Sequence, residues 1–187
     1  PLNAHFPAER NWQMLKRSGA CWLIIDATTA DQFNSMMNGA PYDLMVIAPE
    51  LSSADIAGLQ GPHRVLGRQH LEKSRPLEPQ LPLSSGSPAY LLFTSGSTGQ
   101  PKGVSISYGN LGSYVDYICD RYDMGVGDRA SQAFDLTFDL SAHDIFVTWC
   151  SGATLYPLSR EDLINPARFI RHHNLTVWFS VPSVVMI

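Results

Sequence analysis

Apolar and polar positions alternate along this chain with two periods, and the switches between them outline the fold. After Pro7, residues Ala8, Trp12 and Leu15 fall at helical spacing, with Arg17 in the last turn and Gly19 as a stop signal. Short continuous apolar runs at 21–25 and 44–48 read as strands, and the stretch 31–37 between them reads as a helix. Beyond 90–93, another apolar strand, Asn110 is expected to cap a helix that buries Leu111, Tyr114, Val115, Ile118 and Tyr122. A helix over 140–150 would bury Ile145, Phe146 and Trp149, and Asn165 with Pro166 opens a further helix leading to a strand at 176–179. Strand and helix alternate throughout, so the expected class is α/β, with layered, mixed or parallel sheets covered by helices.

One stretch breaks the rhythm. Pro76, Pro79, Pro82 and Pro88 stand among Ser84, Ser85 and Ser87 over residues 72–88, a composition that resists helix and sheet alike. It reads as a surface crossover, and because the alternation resumes beyond it, residues 1–187 are taken as part of one continuous domain.

Composition narrows the class of function. With 44% hydrophobic and 16% charged residues over 187 positions the chain is globular, and a formal charge of -4 argues against a nucleic-acid surface. No apolar run approaches the roughly 20 residues that span a bilayer and the start lacks a secretory signal, so a cytoplasmic protein with no membrane or nucleic-acid partner is expected. Cys21, Cys119 and Cys150 are odd in number and unpaired in spacing, and are expected to be small buried hydrophobes. His5, His63, His70, His172 and His173 show no metal-ligand spacing and are read as surface residues; no metal-ligating set is assigned. The start at Pro1 and the apolar end at 184–187 suggest a piece of a longer polypeptide.

The densest chemistry lies directly after the 90–93 strand, in Thr94-Ser95-Gly96-Ser97-Thr98-Gly99-Gln100-Pro101-Lys102-Gly103. Glycine permits close main-chain approach to a ligand, hydroxyls and exposed amides donate to anionic oxygens, and Lys102 adds a mobile positive charge. Each charge-assisted hydrogen bond to phosphate contributes roughly 1.5–3 kcal/mol, so several together can hold a polyphosphate. A flexible linker is the plainer alternative, but linkers do not set Pro101-Lys102 behind a buried strand. The loop departs from the Walker pattern, since Pro101 and Gly103 stand where that motif has glycine and Ser or Thr.

This segment closely resembles the signature loop of the adenylate-forming superfamily, which looks like YTSGSTGxPKG. Pro1-Leu2-Asn3, Phe6-Pro7-Ala8-Glu9-Arg10, Met14-Leu15 and Ser18-Gly19-Ala20 are similar to that family's early motif, with Asn3, Ala4 and Phe93 replacing the usual Asp, Pro and Tyr. Phe138-Asp139-Leu140-Ser141, Ser151-Gly152-Ala153 and Ser180-Val181-Pro182-Ser183 resemble the middle of amino-acid adenylation domains of nonribosomal peptide synthetases. The resemblance implies a partial N-terminal domain of an adenylate-forming enzyme. It assigns phosphate contacts to Thr94, Ser95, Gly96, Ser97, Thr98, Gly99 and Lys102, with Lys102 and Thr94 nearest the chemistry.

Asp139 is open to two readings. Spacing alone favours helix capping, with Ser141 and Asp144 as a capping box and Asp139 adding charge at the helix start. The resemblance instead pairs Asp139 with the α-ammonium of an amino-acid substrate and sets Phe138, Leu140 and His143 around its side chain. Asp135 lies outside the resembling pattern and reads as a turn residue. The implied reaction uses ATP and magnesium to convert an amino acid to its adenylate, which passes to the phosphopantetheine thiol of a carrier protein. The alternatives are a stand-alone acid-thiol ligase, of the D-alanine carrier-protein or acyl-coenzyme A type, and a non-catalytic nucleotide-binding or interaction module. The implied magnesium, ribose and C-terminal lysine contacts match nothing in these residues, so a 187-residue piece is expected to be inactive alone.

Overall fold

The computed structural model describes residues 1–37, 43–59, 61, 63–75, 83–95 and 100–185, with only the main chain at Ser95 and Val185. They gather into two compact units, one from Leu2–Pro82 with Phe93–Gly103 and the other from Leu83–Leu92 with Val104–Ile187.

In the first unit, α1 (Ala8–Ser18) follows Pro7 and stops at Gly19, whose φ of 66° is the left-handed conformation that glycine adopts without strain. Its inward face is Asn11, Met14 and Leu15. Then come β1 (Trp22–Ile24), α2 (Ala30–Met37), β2 (Met45–Ala48), α3 (Ser53–Ile56), β3 (Arg64–Gly67) and α4 (Arg68–Glu72). The strands form a parallel sheet in the order β1-β2-β3, with Leu23 beside Val46 and Val46 beside Val65. Val46 is wholly buried at its centre, packed with Leu15, Ile25, Phe33, Met36, Met37, Leu44, Ala48 and Leu51. The apolar run at 21–25 does not give a fully buried strand. As an edge strand with one neighbour, β1 leaves Trp22 58% and Ile24 71% exposed.

The second unit takes in most of β4 (Pro88–Ser95) and β5 (Pro101–Ser107), which pair in a two-stranded sheet. Proline is tolerated at the first position of β4, where no ladder donor is needed. Next is α5 (Tyr108–Tyr122), whose cap is Ser107 rather than Asn110. The Asn110 N–H donates to Ser107 Oγ at 3.2 Å, and the Ser107 hydroxyl donates to Asn110 Oδ1 at 2.7 Å. The helix thus begins three residues earlier than the asparagine suggests. Leu111, Val115 and Ile118 are its buried face, whereas Tyr114 and Tyr122 are exposed.

Parallel strands β6 (Arg129–Gln132) and β7 (Thr154–Pro157) pair along their full length. In place of the expected 176–179 strand there is a single parallel bridge between Ala130 and Val177. The ladder ends there because the Phe179 N–H donates to the Ser131 hydroxyl instead of to main chain.

Residues 139–150 are helical throughout, as α6 (Asp139–Ala142), a π-helical turn (His143–Val147) and α7 (Thr148–Cys150). Their buried face is Ser141, Asp144, Val147 and Thr148; Ile145 and Phe146 are half-buried and Trp149 is 62% exposed, contrary to expectation. The π turn adds a residue to the loop of hydrogen bonds and so rotates the later side chains away from the face a regular helix would bury. Helix α8 (Pro166–His173) starts as read, with Asn165 Oδ1 accepting the Arg168 N–H, and α9 (Pro182–Val185) closes the described chain.

The cysteines are free, but Cys21 and Cys150 are exposed and Cys119 is half-buried against the Ser151 hydroxyl, so the buried-hydrophobe reading fails. His63 is not a surface residue either: its Nδ1 accepts the Leu44 N–H at 3.2 Å and its ring meets Phe33 edge-on. Of the crossover, residues 76–82 lie outside the described residues; Ser84 to Ser87 form a tight turn. No helix among the described residues is long and apolar enough to cross a membrane.

Candidate active site

The two sets of sequence-selected residues belong to different units. In the first, Thr94 is the next-to-last residue of β4 and Lys102 the second of β5, and the Thr94 hydroxyl donates to the Lys102 carbonyl at 3.4 Å. Pro101 is buried, and its carbonyl accepts from the Arg17 guanidinium at 2.8 Å, which ties the foot of the loop to the end of α1. Anchored stems leave Thr94 and the Lys102 side chain exposed. The Ser95 side chain and Gly96, Ser97, Thr98 and Gly99 lie outside the described residues.

In the second unit, β6 delivers the chain to a loop over residues 133–138, and the loop delivers Asp139 to the first position of a helix. That is where a carboxylate is stabilised by the positive end of the helix dipole. Ligands of open α/β sheets gather at such carboxyl ends of strands. Phe138 takes the N-cap position with extended dihedrals and 61% exposure; Asp139 is exposed and Leu140 half-buried.

The capping-box reading does not hold. Phe138 makes no side-chain cap, the Ser141 hydroxyl donates to the Phe138 carbonyl at 2.6 Å, and Asp144 turns inward to accept the Ala133 N–H at 3.1 Å. Asp135 serves the turn, accepting from the Thr137 N–H and hydroxyl.

His143 is half-buried. Its Nδ1 shares a hydrogen bond of 2.8 Å with the Tyr114 hydroxyl, and its ring lies 4.3 Å from that of Phe179. Burial holds its pKa below the ordinary value, so the imidazole is neutral at neutral pH. Burial raises the pKa of Tyr90, and the negative charge of Asp139 adds to it; Tyr114 is raised by burial first, with Asp139 among the charges contributing. Both phenols therefore lie within electrostatic reach of Asp139. Tyr90 in turn stacks on Phe146 at 6.5 Å.

This end of the unit holds an exposed carboxylate, two phenols whose ionisation it opposes and a neutral imidazole, a set suited to a cation beside an apolar or polar side chain. Behind it, a cavity of about 20 Å³ is lined by residues including Ser131, His143, Asp144, Thr148 and Phe179. Tyr90, Tyr114, Phe179 and Asp144 were not selected from sequence. The one available signal was Asp144, an acid on a helix face between Ser141 and Val147 that the structure buries.

The chain belongs to the AMP-binding enzyme family, whose match runs over residues 1–187. It is 31% identical to the D-alanine--D-alanyl carrier protein ligase of Bacillus velezensis over 99% of this chain and 33% of that one. It is also 39% identical to an L-proline--[L-prolyl-carrier protein] ligase of Pseudomonas fluorescens, over 63% of this chain and 24% of the relative. Among solved structures, the Vibrio cholerae adenylation domain AlmE in complex with glycyl-adenosine-5'-phosphate superposes with a TM-score of 0.86 at 34% identity, covering 100% of this chain and 36% of that one. The α/β fold is accordingly that of an adenylation domain's N-terminal part. The chain spans about a quarter of the length of the prolyl-carrier ligase it resembles.

Proposed function

We propose that the protein activates an amino acid. The carboxylate oxygen attacks the α-phosphorus of ATP, the bond to the β-phosphate bridging oxygen breaks, pyrophosphate leaves, and an aminoacyl adenylate remains. A carrier protein's phosphopantetheine thiol then attacks the acyl carbon and releases AMP. Lys102 and Thr94, with Ser95, Gly96, Ser97, Thr98 and Gly99, contact the phosphates; Asp139 pairs with the α-ammonium, and Phe138, Leu140 and His143 surround the side chain. Such chemistry is mainly positioning and electrostatic stabilisation. Magnesium accompanies ATP, and no step here rests on a protein ligand to it.

The observation that carries this reading is the exposed carboxylate of Asp139 at a helix start among Tyr90, Tyr114 and His143. The names of the relatives, ligases of prolyl and D-alanyl carrier proteins, support an amino acid and a carrier. A nonribosomal peptide synthetase and a free-standing carrier-protein ligase share every step above, and the resemblance around Phe138 to Ser141 favours the former. We place the reaction in the cytoplasm, where ATP is supplied.

The test is ATP-pyrophosphate exchange by the full-length protein with paired amino acids and their amine-free analogues. Asp139→Ala should depress activity toward the amino acid far more, because only that substrate loses a charge partner. Equal losses on both acids would remove the amino-acid assignment.

A further inference from the structure

Asp144 is 3% exposed, in a position where an aliphatic residue would be the simpler choice. Its Oδ2 accepts the Ala133 N–H, the first main-chain donor of the 133–138 loop. The far end of that loop is tied to the same helix, by the Ser141 hydroxyl on the Phe138 carbonyl at 2.6 Å. Between them the Phe138 N–H donates to the Asp135 carbonyl at 2.9 Å, and the Gln132 side-chain amide donates to the Phe134 carbonyl. The π turn that contains both His143 and Asp144 directs His143 toward Tyr114 and Phe179 and Asp144 toward the loop. Such turns occur often at functional sites. Asp144 thus closes a ring of contacts around the segment that ends in Phe138 and Asp139.

We propose that Asp144 is a positioning residue for the substrate's ammonium site. By holding the Ala133 N–H it fixes the loop, and through the loop it fixes Phe138 and the carboxylate of Asp139. The proposal rests on the amino-acid reading of Asp139. What matters in it is a hydrogen-bond acceptor at one place, and a misplacement of about 1 Å at a reacting group lowers efficiency on the order of 100-fold.

The experiment is pyrophosphate exchange with the full-length protein, measuring KM separately for the amino acid, its amine-free analogue and ATP. Asp144→Val removes the acceptor with a side chain suited to burial, and should raise KM for the amino acid at least about tenfold. KM for ATP should stay within about twofold, and KM for the amine-free acid, which shares Phe138 but not the ammonium contact, should rise less than a third as much as that for the amino acid. Asp144→Asn keeps an acceptor oxygen and should recover the wild-type KM to within about threefold. Should Asp144→Val not fold, Asp144→Ser, whose hydroxyl is too short to reach, is expected to show the same split. A folded valine or serine variant with an unchanged KM for the amino acid, a rise shared by all three ligands, or an asparagine variant as impaired as valine would overturn the proposal. If the wild type itself shows no preference for the amino acid over its amine-free analogue, the amino-acid reading fails and the proposal with it.

Discussion

Both units pack helices on parallel strands, yet they fill their interiors with different material. The β1–β3 unit buries eight hydrophobic residues around Val46 in one cluster, and Asn11 is its single buried polar side chain among the described residues. The β6–β7 unit has a smaller cluster of Leu111, Val115, Ile118 and Val147, and buries Ser131, Gln132, Ser141, Asp144 and Thr148. An apolar interior stabilises without specifying direction, whereas buried hydrogen bonds fix particular atoms and cost stability when one partner is lost. The polar interior lies behind the Asp139 helix. Around Asp139, then, geometry is fixed by buried hydrogen bonds of a kind that the apolar cluster of the first unit does not supply.

The largest expected effect tests the apolar side of that contrast. Phe33→Ala deletes a ring that is 2% exposed and touches His63 edge-on, and should lower the unfolding free energy by about 3–5 kcal/mol. Denaturant melts of the two proteins measure it. A loss under about 1 kcal/mol would mean the cluster is loosely packed and the contrast overstated.

Lys102→Ala should reverse the pattern, with stability nearly unchanged because the side chain is exposed, and adenylate formation slower on the order of 100-fold. Single-turnover adenylate formation at saturating ATP and amino acid checks it. Undiminished turnover by the folded variant would remove Lys102 from the phosphate site.

The third expectation concerns the polar interior. Burial raises the Asp144 pKa from 3.8 to about 7, against the hydrogen bond from Ala133, which lowers it. The folded state therefore binds a proton more readily than the unfolded chain, so this group's contribution to stability is full below its unfolded pKa and is lost as pH rises through the folded value. Wild-type stability should accordingly carry a falling component between about pH 4 and 7 that Asp144→Asn, which has no proton to lose, lacks. Parallel melting curves across that window compare them; superimposable pH profiles would mean the carboxyl ionises normally in place.

What could be read from the residues followed the same division. In the apolar unit α1, β1, α2 and β2 were legible, because α1 and α2 carry helical spacing and Gly19 can take the left-handed turn that ends α1, whereas the short α3, β3 and α4 carry too few residues to show a period. The buried face of the 139–150 helix was not, because a π turn resets the spacing and the face is polar. Asp139 stood out only through a resemblance, since its spacing fits a helix start equally well. Tyr114 and Phe179 reach His143 from residues 29 and 36 positions away in sequence, a closeness that no local pattern encodes. The exposure of Trp22 and Ile24 has a related reason: an apolar run reports strand propensity, but which strand lies at the edge is decided by the order of the sheet.

The smallest expected effect separates two readings of where α5 begins. If Ser107 is the cap, Ser107→Ala removes the acceptor for the Asn110 N–H and should cost about 1 kcal/mol. Asn110→Ala removes only the oxygen that receives the Ser107 hydroxyl, while the capped N–H stays, so its cost should be a fraction of that. The capping assignment made from sequence demands the opposite order. Because Ser107 also ends β5, the strand that begins at the Lys102 loop, exchange activity measured beside the melts shows whether the cap acts on stability alone. A cap with only a local role leaves the ATP KM of both variants at the wild-type value, and a serine variant that melts as the wild type does while the asparagine variant falls would return the helix start to Asn110.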